Sequence, residues 1–266
     1  MCRHLAYLGP PRPLSELLLT PEYGLLRQSY APRDMRGGGT INADGFGVGW
    51  YPGAGAVRAR QPVRYRTERP FWTDASFADL APVTESGAVL AAVRSATAGM
   101  PVVSTACAPF TDGRWLFSHN GVVTGWPGSV AGLAGALPVT DLLTLDAPTD
   151  ACLLWALVRA RLRTGADPAD VLAGVVREVA GAAGGSKLNL LLTDGRTVYA
   201  TAWRHSLAVR EEPDGVLVAS EPHDELPGWV PVPDGHLVVA RPGSATTQPV
   251  ERLTHRTRPT HPEGAR

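Results

Sequence analysis

A layered α+β fold is predicted by three features of the chain: apolar strand-like runs in the first half, two consecutive amphipathic helices near the middle, and a return to strands through a clear hairpin. The regular strand–helix alternation that announces a doubly wound parallel sheet is not there. In chain order, residues 42–51 set Gly45, Gly47 and Gly49 at alternate positions, the pattern of a strand whose missing side chains let another backbone lie close. The spacing is GxGxG, and Gly37-Gly38-Gly39-Thr40 upstream lacks a P-loop lysine, so no phosphate cradle is expected. Residues 87–93 form an apolar run bounded by polar residues, and residues 114–118 a second, shorter strand. Pro148-Thr149-Asp150 opens a helix carrying Leu153, Leu154, Leu157 and Val158. Asp167-Pro168 opens another carrying Val171, Leu172, Val175, Val176 and Val179, and each start has a cap residue and a proline. After the 181–185 break, residues 188–193, the Asp194-Gly195 turn and residues 197–203 read as a hairpin, with further strands at 215–219 and 236–240. Beyond residue 242 the chain is rich in Pro, Thr and Arg. It therefore reads as one folded unit over residues 2–241 and a loosely held tail over 242–266.

The 25 Lys+Arg balance 25 Asp+Glu, which removes the broad positive field of a nucleic-acid or anionic-membrane binder. Residues 1–30 show no basic segment followed by an apolar one, and no apolar run approaches about 20 residues, so a soluble cytoplasmic protein is expected. Three cysteines without a CxxC pair, and histidines without paired ligand spacing, point to neither a disulfide framework nor a metal site; no cofactor is expected.

Cys2 carries the most chemistry. Removal of Met1 ahead of this small residue leaves a thiol and a free α-amine on one residue, and an α-amine with a reference pKa of roughly 7.7 to 8.0 can take the thiol proton near neutral pH. Arg94 emerges from the 87–93 strand and reads either as a surface ion pair or as a fork for a carboxylate. Asn120-Gly121 follows the second strand and reads either as a turn or as paired N–H donors for an oxyanion. Asp150 is either a helix-start residue or a grip for an ammonium group. Cys107 and Cys152 read as buried, inert thiols, and His119 as a structural ring.

Taken in order, Met1-Cys2-Arg3, Asp44-Gly45-Phe46-Gly47, the run from Arg94 through Ser95-Ala96-Thr97-Ala98 to Gly99, His119-Asn120-Gly121 and Thr149-Asp150 resemble the successive motifs of the class II glutamine amidotransferases, which are N-terminal-nucleophile hydrolases. The resemblance spans most of residues 2–222, including Ala219-Ser220-Glu221-Pro222. It implies a four-layer α-β-β-α sandwich with Cys2 as nucleophile at the start of a strand. It further implies Arg94 and Thr97 at a glutamyl α-carboxylate, Asp150 at the α-ammonium, and Asn120 with the Gly121 N–H as oxyanion hole. The chain departs from the family pattern at Ala98 and at Ala108-Pro109-Phe110, where histidines are usual, and no synthase domain accompanies it in this sequence. Stand-alone hydrolysis of a small-molecule γ-glutamyl amide is therefore expected, with a homo-oligomer left open. An ammonia-donating glutaminase subunit and a silent γ-glutamyl-binding module are the rival expectations.

Overall fold

The structure is a computed structural model that describes residues 2–35, 41–53 and 61–252; the Gly37-Gly38-Gly39-Thr40 run and most of the expected tail lie outside the described residues. The chain begins with β1 (Arg3–Pro13), α1 (Leu14–Leu18), α2 (Leu25–Gln28), β2 (Phe46–Trp50), β3 (Val63–Thr67), α3 (Ala75–Leu80) and β4 (Glu85–Val93). A second group follows: β5 (Phe110–Asp112), β6 (Trp115–Val122), α4 (Ala131–Gly135), α5 (Val139–Leu143), α6 (Asp150–Arg163) and α7 (Pro168–Ala182). The chain then runs through β7 (Lys187–Thr193), β8 (Val198–Ala202), β9 (Ala208–Glu212), β10 (Gly215–Ala219), β11 (Trp229–Pro231), β12 (His236–Arg241) and β13 (Ser244–Pro249). The strands make two antiparallel sheets, in the orders β11-β9-β10-β1-β4-β2-β3 and β13-β12-β8-β7-β6-β5.

Three apolar clusters show the layering. Leu5, Tyr7, Val89 and Leu217 of the first sheet pack with Leu14, Leu17, Leu25 and Phe77 of α1–α3. Ala6, Leu8, Leu90 and Val218 instead meet Leu191, Ala200 and Val238 of the second sheet. Leu188, Leu190 and Leu192 of β7 pack under α6 and α7 with Leu154, Leu157, Val175 and Val179. Successive residues of one strand thus belong to different interfaces, as a period of two demands, and each fully buried leucine contributes roughly 1.5–3 kcal/mol. The result is the α-β-β-α sandwich. Both long helices start where expected: Thr149 accepts the Cys152 N–H at 3.3 Å and Asp167 the Ala169 N–H at 2.9 Å.

Two expectations are corrected. The strand read as ending before Asn120-Gly121 continues to Val122, because β6 pairs with β7 along its length, Asn120 opposite Asn189 and Gly121 opposite Leu188. No turn forms there. The tail expected from residue 242 instead contains β13, whose Thr246 and Thr247 pair with Val239 and Val238 of β12. An edge strand needs only backbone partners on one side, so a polar, threonine-rich segment can form it. Among the described residues no helix is long and apolar enough to cross a membrane.

Candidate active site

Cys2 immediately precedes β1, whose first residue Arg3 pairs with Val93, the last residue of β4. That register delivers Cys2 to the segment beginning at Arg94. The Ser95 N–H donates to the Cys2 sulfur at 3.5 Å, and the Ser95 carbonyl lies 3.7 Å from it. Arg3, 1% exposed, donates to the Cys2 carbonyl at 3.0 Å and to the Asp34 carbonyl, which ties the Cys2 backbone to the Asp34 segment. Cys2 is half-buried, whereas Cys107 and Cys152 are buried. Burial pushes their thiols up to about 12 and about 11, which keeps them protonated and unreactive.

Arg94 is held through its backbone: its N–H donates to Gly45 at 2.8 Å and its carbonyl accepts from Asp44 at 3.0 Å. The Asp44 carboxylate in turn accepts the Ala96 N–H at 2.7 Å, so the Asp44-Gly45 motif shapes the turn that displays Arg94. Gly47 belongs to the same device, since a side chain there would collide with the Ala108 backbone. Arg94 is 8% exposed and its Nη1 has no acceptor. A buried guanidinium N–H without an acceptor is costly, which marks a position where a ligand oxygen belongs.

The opposite side comes from the second sheet. Asn120 is fully buried; its Nδ2 donates to the Ser220 hydroxyl at 2.9 Å and its Oδ1 has no partner. Ser220 also accepts the His4 N–H at 2.9 Å, so one hydroxyl ties the start of β1 to the Asn120 amide. At Gly121 any side chain would collide with the Lys187 carbonyl. Asp150, 6% exposed at the first position of α6, accepts the Val123 N–H at 3.0 Å and the Ala151 N–H at 2.7 Å. A carboxylate has about four acceptor positions, so lone pairs remain. Cys2, Arg94, Thr97, His119, Gly121 and Asp150 line one cavity of about 40 Å³.

Two histidines near Cys2 are neutral at pH 7. Burial first, then His119 and His205, lowers His4 to about 3; burial, then Arg3, lowers His205 to about 4. His119 sits with Nε2 3.1 Å from the Lys187 carbonyl, as a structural ring would.

Residues 27–215 match the family model of the class II glutamine amidotransferases. The chain belongs to that family. Among curated class II relatives it is 43% identical over 250 residues to the γ-glutamyl-hercynylcysteine sulfoxide hydrolase of Mycolicibacterium smegmatis, covering 94% of this chain and 100% of the relative. It is 40% identical to the enzyme of the same name from Mycobacterium tuberculosis, covering 95% and 98%. Among solved structures, a glutamine aminotransferase class-II domain protein from Silicibacter pomeroyi superposes with a TM-score of 0.67 at 23% identity, over 93% of this chain and 99% of that one. Glutamine phosphoribosylpyrophosphate amidotransferase from B. subtilis gives 0.64 at 14% identity, over 93% and 49%. These two likenesses show the fold.

Of the site residues read from the sequence, Cys2, Arg94, Thr97, Gly121 and Asp150 share this cavity, and Asn120 stands behind it on Ser220. Sequence reasoning missed what Ser220, Asp44 and Arg3 do. All three stand inside the family-like motifs without a role there; Ser220 meets His4 because β10 pairs with β1, and its hydroxyl then takes the Asn120 amide from the second sheet.

Proposed function

We infer that the chain hydrolyses the γ-glutamyl amide of γ-glutamyl-hercynylcysteine sulfoxide, releasing glutamate and hercynylcysteine sulfoxide, a step of ergothioneine biosynthesis. The observation that carries the reading is a half-exposed cysteine sulfur sharing one cavity with an unpartnered buried guanidinium and a carboxylate. The substrate is carried from the two mycobacterial relatives. Cys2 is the nucleophile once Met1 is removed. Arg94 and Thr97 take the glutamyl α-carboxylate, Asp150 takes the α-ammonium, and this pair of opposite charges sets the γ-carbonyl about 3 to 3.5 Å from sulfur.

The α-amine of Cys2, directly or through a water, takes the thiol proton, and the thiolate attacks the γ-carbonyl carbon. The oxyanion is met by the Gly121 N–H and by the Asn120 Nδ2 hydrogen that Ser220 leaves free. Collapse breaks the C–N bond, and the protonated α-amine gives its proton to the leaving nitrogen. Water, deprotonated by the same amine, then attacks the thioester carbonyl; the C–S bond breaks and glutamate leaves.

Rapid acid quenching during turnover, followed by mass spectrometry of the N-terminal peptide, tests this reading. The peptide should begin at Cys2 and carry one added glutamyl unit. A peptide that retains Met1, or stays unmodified while product accumulates, overturns it. Cleavage of glutamine in strong preference to the sulfoxide would point instead to an ammonia-donating subunit.

A further inference from the structure

Glu221 is the acidic residue of the Ala219-Ser220-Glu221-Pro222 motif, and the chemistry at Cys2 as read above gives it no part. It lies two residues beyond β10 and is 4% exposed. A carboxylate so buried must be met by donors or positive charge, and both are present. Its two oxygens accept the successive N–H groups of Arg33 at 3.2 Å and Asp34 at 2.6 Å. Asp34, held in this way, turns its own carbonyl to the guanidinium of Arg3, and Arg3 Nη1 bonds the Cys2 carbonyl at 3.0 Å. The positive charge that Glu221 faces is the same Arg3: burial works against that charge, and Glu221, ahead of Asp34, favours it most. One path of bonds and one of charge therefore run from Glu221 to the nucleophile.

We propose that Glu221 is a positioning residue for Cys2, holding Arg3 so that the sulfur and the α-amine keep the placement and the charge balance that proton transfer between them needs. The proposal rests on the reading above in which that amine is the base. Two anchors define Cys2: the Ser95 N–H at its sulfur, 3.5 Å away, and Arg3 at its carbonyl. With both held, rotation about the bond from Cα to the carbonyl carbon is restricted, and the amine on that Cα has one place to be. Arg3 also acts by its charge. A guanidinium on the Cys2 carbonyl disfavours the ammonium and favours the thiolate, so it draws both protons off at lower pH; the Glu221 carboxylate opposes this and keeps the amine basic enough to take a proton. Thiol and amine share one residue and titrate as a pair. The other charged groups on the elements around Cys2 are Asp34, Arg94 after β4, Asp150 on α6 and Lys187 on β7, and a change at Glu221 leaves their charges in place. Of the remaining titratable groups, His4 and His205 are neutral at pH 7, Cys107 is protonated, and the His119 ring bonds the Lys187 carbonyl.

Alkylation of Cys2 in the full chain by iodoacetamide across pH, read on the N-terminal peptide by mass spectrometry, gives the apparent pKa of the pair without any substrate. Glu221→Gln removes the negative charge and should lower that value by about half a pH unit, carrying the acid limb of kcat/KM down with it. Arg3→Gln removes the opposing charge and should move both upward. Glu221→Asp keeps the charge on a shorter arm: its apparent pKa should stay within about 0.2 of wild type while kcat falls severalfold and KM stays within about threefold. Asp34→Asn, at a half-buried residue whose backbone carbonyl remains, should lower the apparent pKa by less than Glu221→Gln, and it decides the sign if a buried variant does not fold. An apparent pKa that stays put in Glu221→Gln, or that moves the same way in Glu221→Gln and Arg3→Gln, overturns the proposal, because damage to the fold alone does not follow the sign of the charge removed. Shifts of the expected sign in a chain that forms no glutamyl thioester would support the role of Glu221 and sink the γ-glutamyl reading instead.

Discussion

Two cavities, one lined by Cys2 and one at the β9–β11 edge of the first sheet, are built on opposite plans. The one toward Asp150 is small, walled by buried groups, and leaves a guanidinium N–H without a partner. The one toward Trp229 is more than an order of magnitude larger, and Asp224 in its wall is paired with Arg210 at 2.6 Å. Unsatisfied polar atoms in a tight space beside the sulfur suit groups that must be held through a reaction, whereas a roomy cavity that Cys2 does not line carries no such demand. Changes in the first region should therefore act on chemistry directly, and changes in the second only through the bonds that Ser220 and Glu221 extend toward the sulfur.

The sharpest test of this division is Cys2→Ala. Turnover should fall by at least a thousandfold while the thermal unfolding midpoint stays within a few degrees, because the residue is half-buried and precedes the first strand. Residual activity at a tenth of wild type would break the comparison at its centre. Arg94→Gln comes next. It removes the charge from a group expected to hold a carboxylate, and charge-assisted pairs contribute about 1.5–3 kcal/mol, so kcat/KM should fall roughly 10- to 150-fold. Since its Nη1 satisfies nothing inside the protein, the loss should appear in kinetics and hardly in stability.

How much of this was legible before folding follows the same division. Cys2, Arg94, Thr97, Gly121 and Asp150 stand in short motifs because each is presented by a strand end or helix start that its neighbours define. Both long helices were legible from their caps and periodicity. β1 was legible only through the resemblance, which puts Cys2 at the start of a strand, since Leu5 and Tyr7 serve one interface, Ala6 and Leu8 the other, and Pro10, Pro11 and Pro13 argue against a strand that nonetheless runs on past a register shift between Leu8 and Arg12. The Trp229 cavity was hidden. Its residues come from six separate stretches, none of which carries a pattern for the role it acquires when the sheet edge assembles.

The buried histidines and the paired carboxylates answer acid over different ranges. His4 and His205 have folded values of about 3 and about 4 against 6.5 for the free ring, so between those limits the unfolded chain binds more protons and stability falls as pH drops below 6.5. By pH 5 each ring costs up to about 2 kcal/mol, and each kcal/mol lowers Tm by about 2 to 4 °C in a chain of this size. On the other side, burial tends to raise Asp224 and Glu212, but bonds from Arg210 with Trp229, and from Arg12 with Arg210, outweigh it and hold both below their ordinary 3.8 and 4.5. Their stabilisation persists above those values and is lost only as pH falls below them. His223, also lowered chiefly by burial and opposed by Asp224, contributes in the same direction as the two histidines. His205→Gln should therefore flatten the decline between pH 6.5 and 5 and leave the steeper loss below pH 4 in place. An unchanged slope would show that the buried rings are not its source.

The smallest expected effect falls on the residue shared by both regions. Ser220 stands in the wall of the large cavity while its hydroxyl holds the Asn120 amide and the His4 N–H. Ser220→Ala removes one acceptor from two buried donors, a cost of about 1–3 kcal/mol in stability. It also frees the amide that should face the oxyanion, so kcat should fall about tenfold with KM within twofold, the pattern of an interaction made only in the transition state. Ser220→Thr keeps the hydroxyl and should recover most of kcat. If KM rises instead and kcat holds, Ser220 belongs to binding alone, and the large cavity does not reach the chemistry through it.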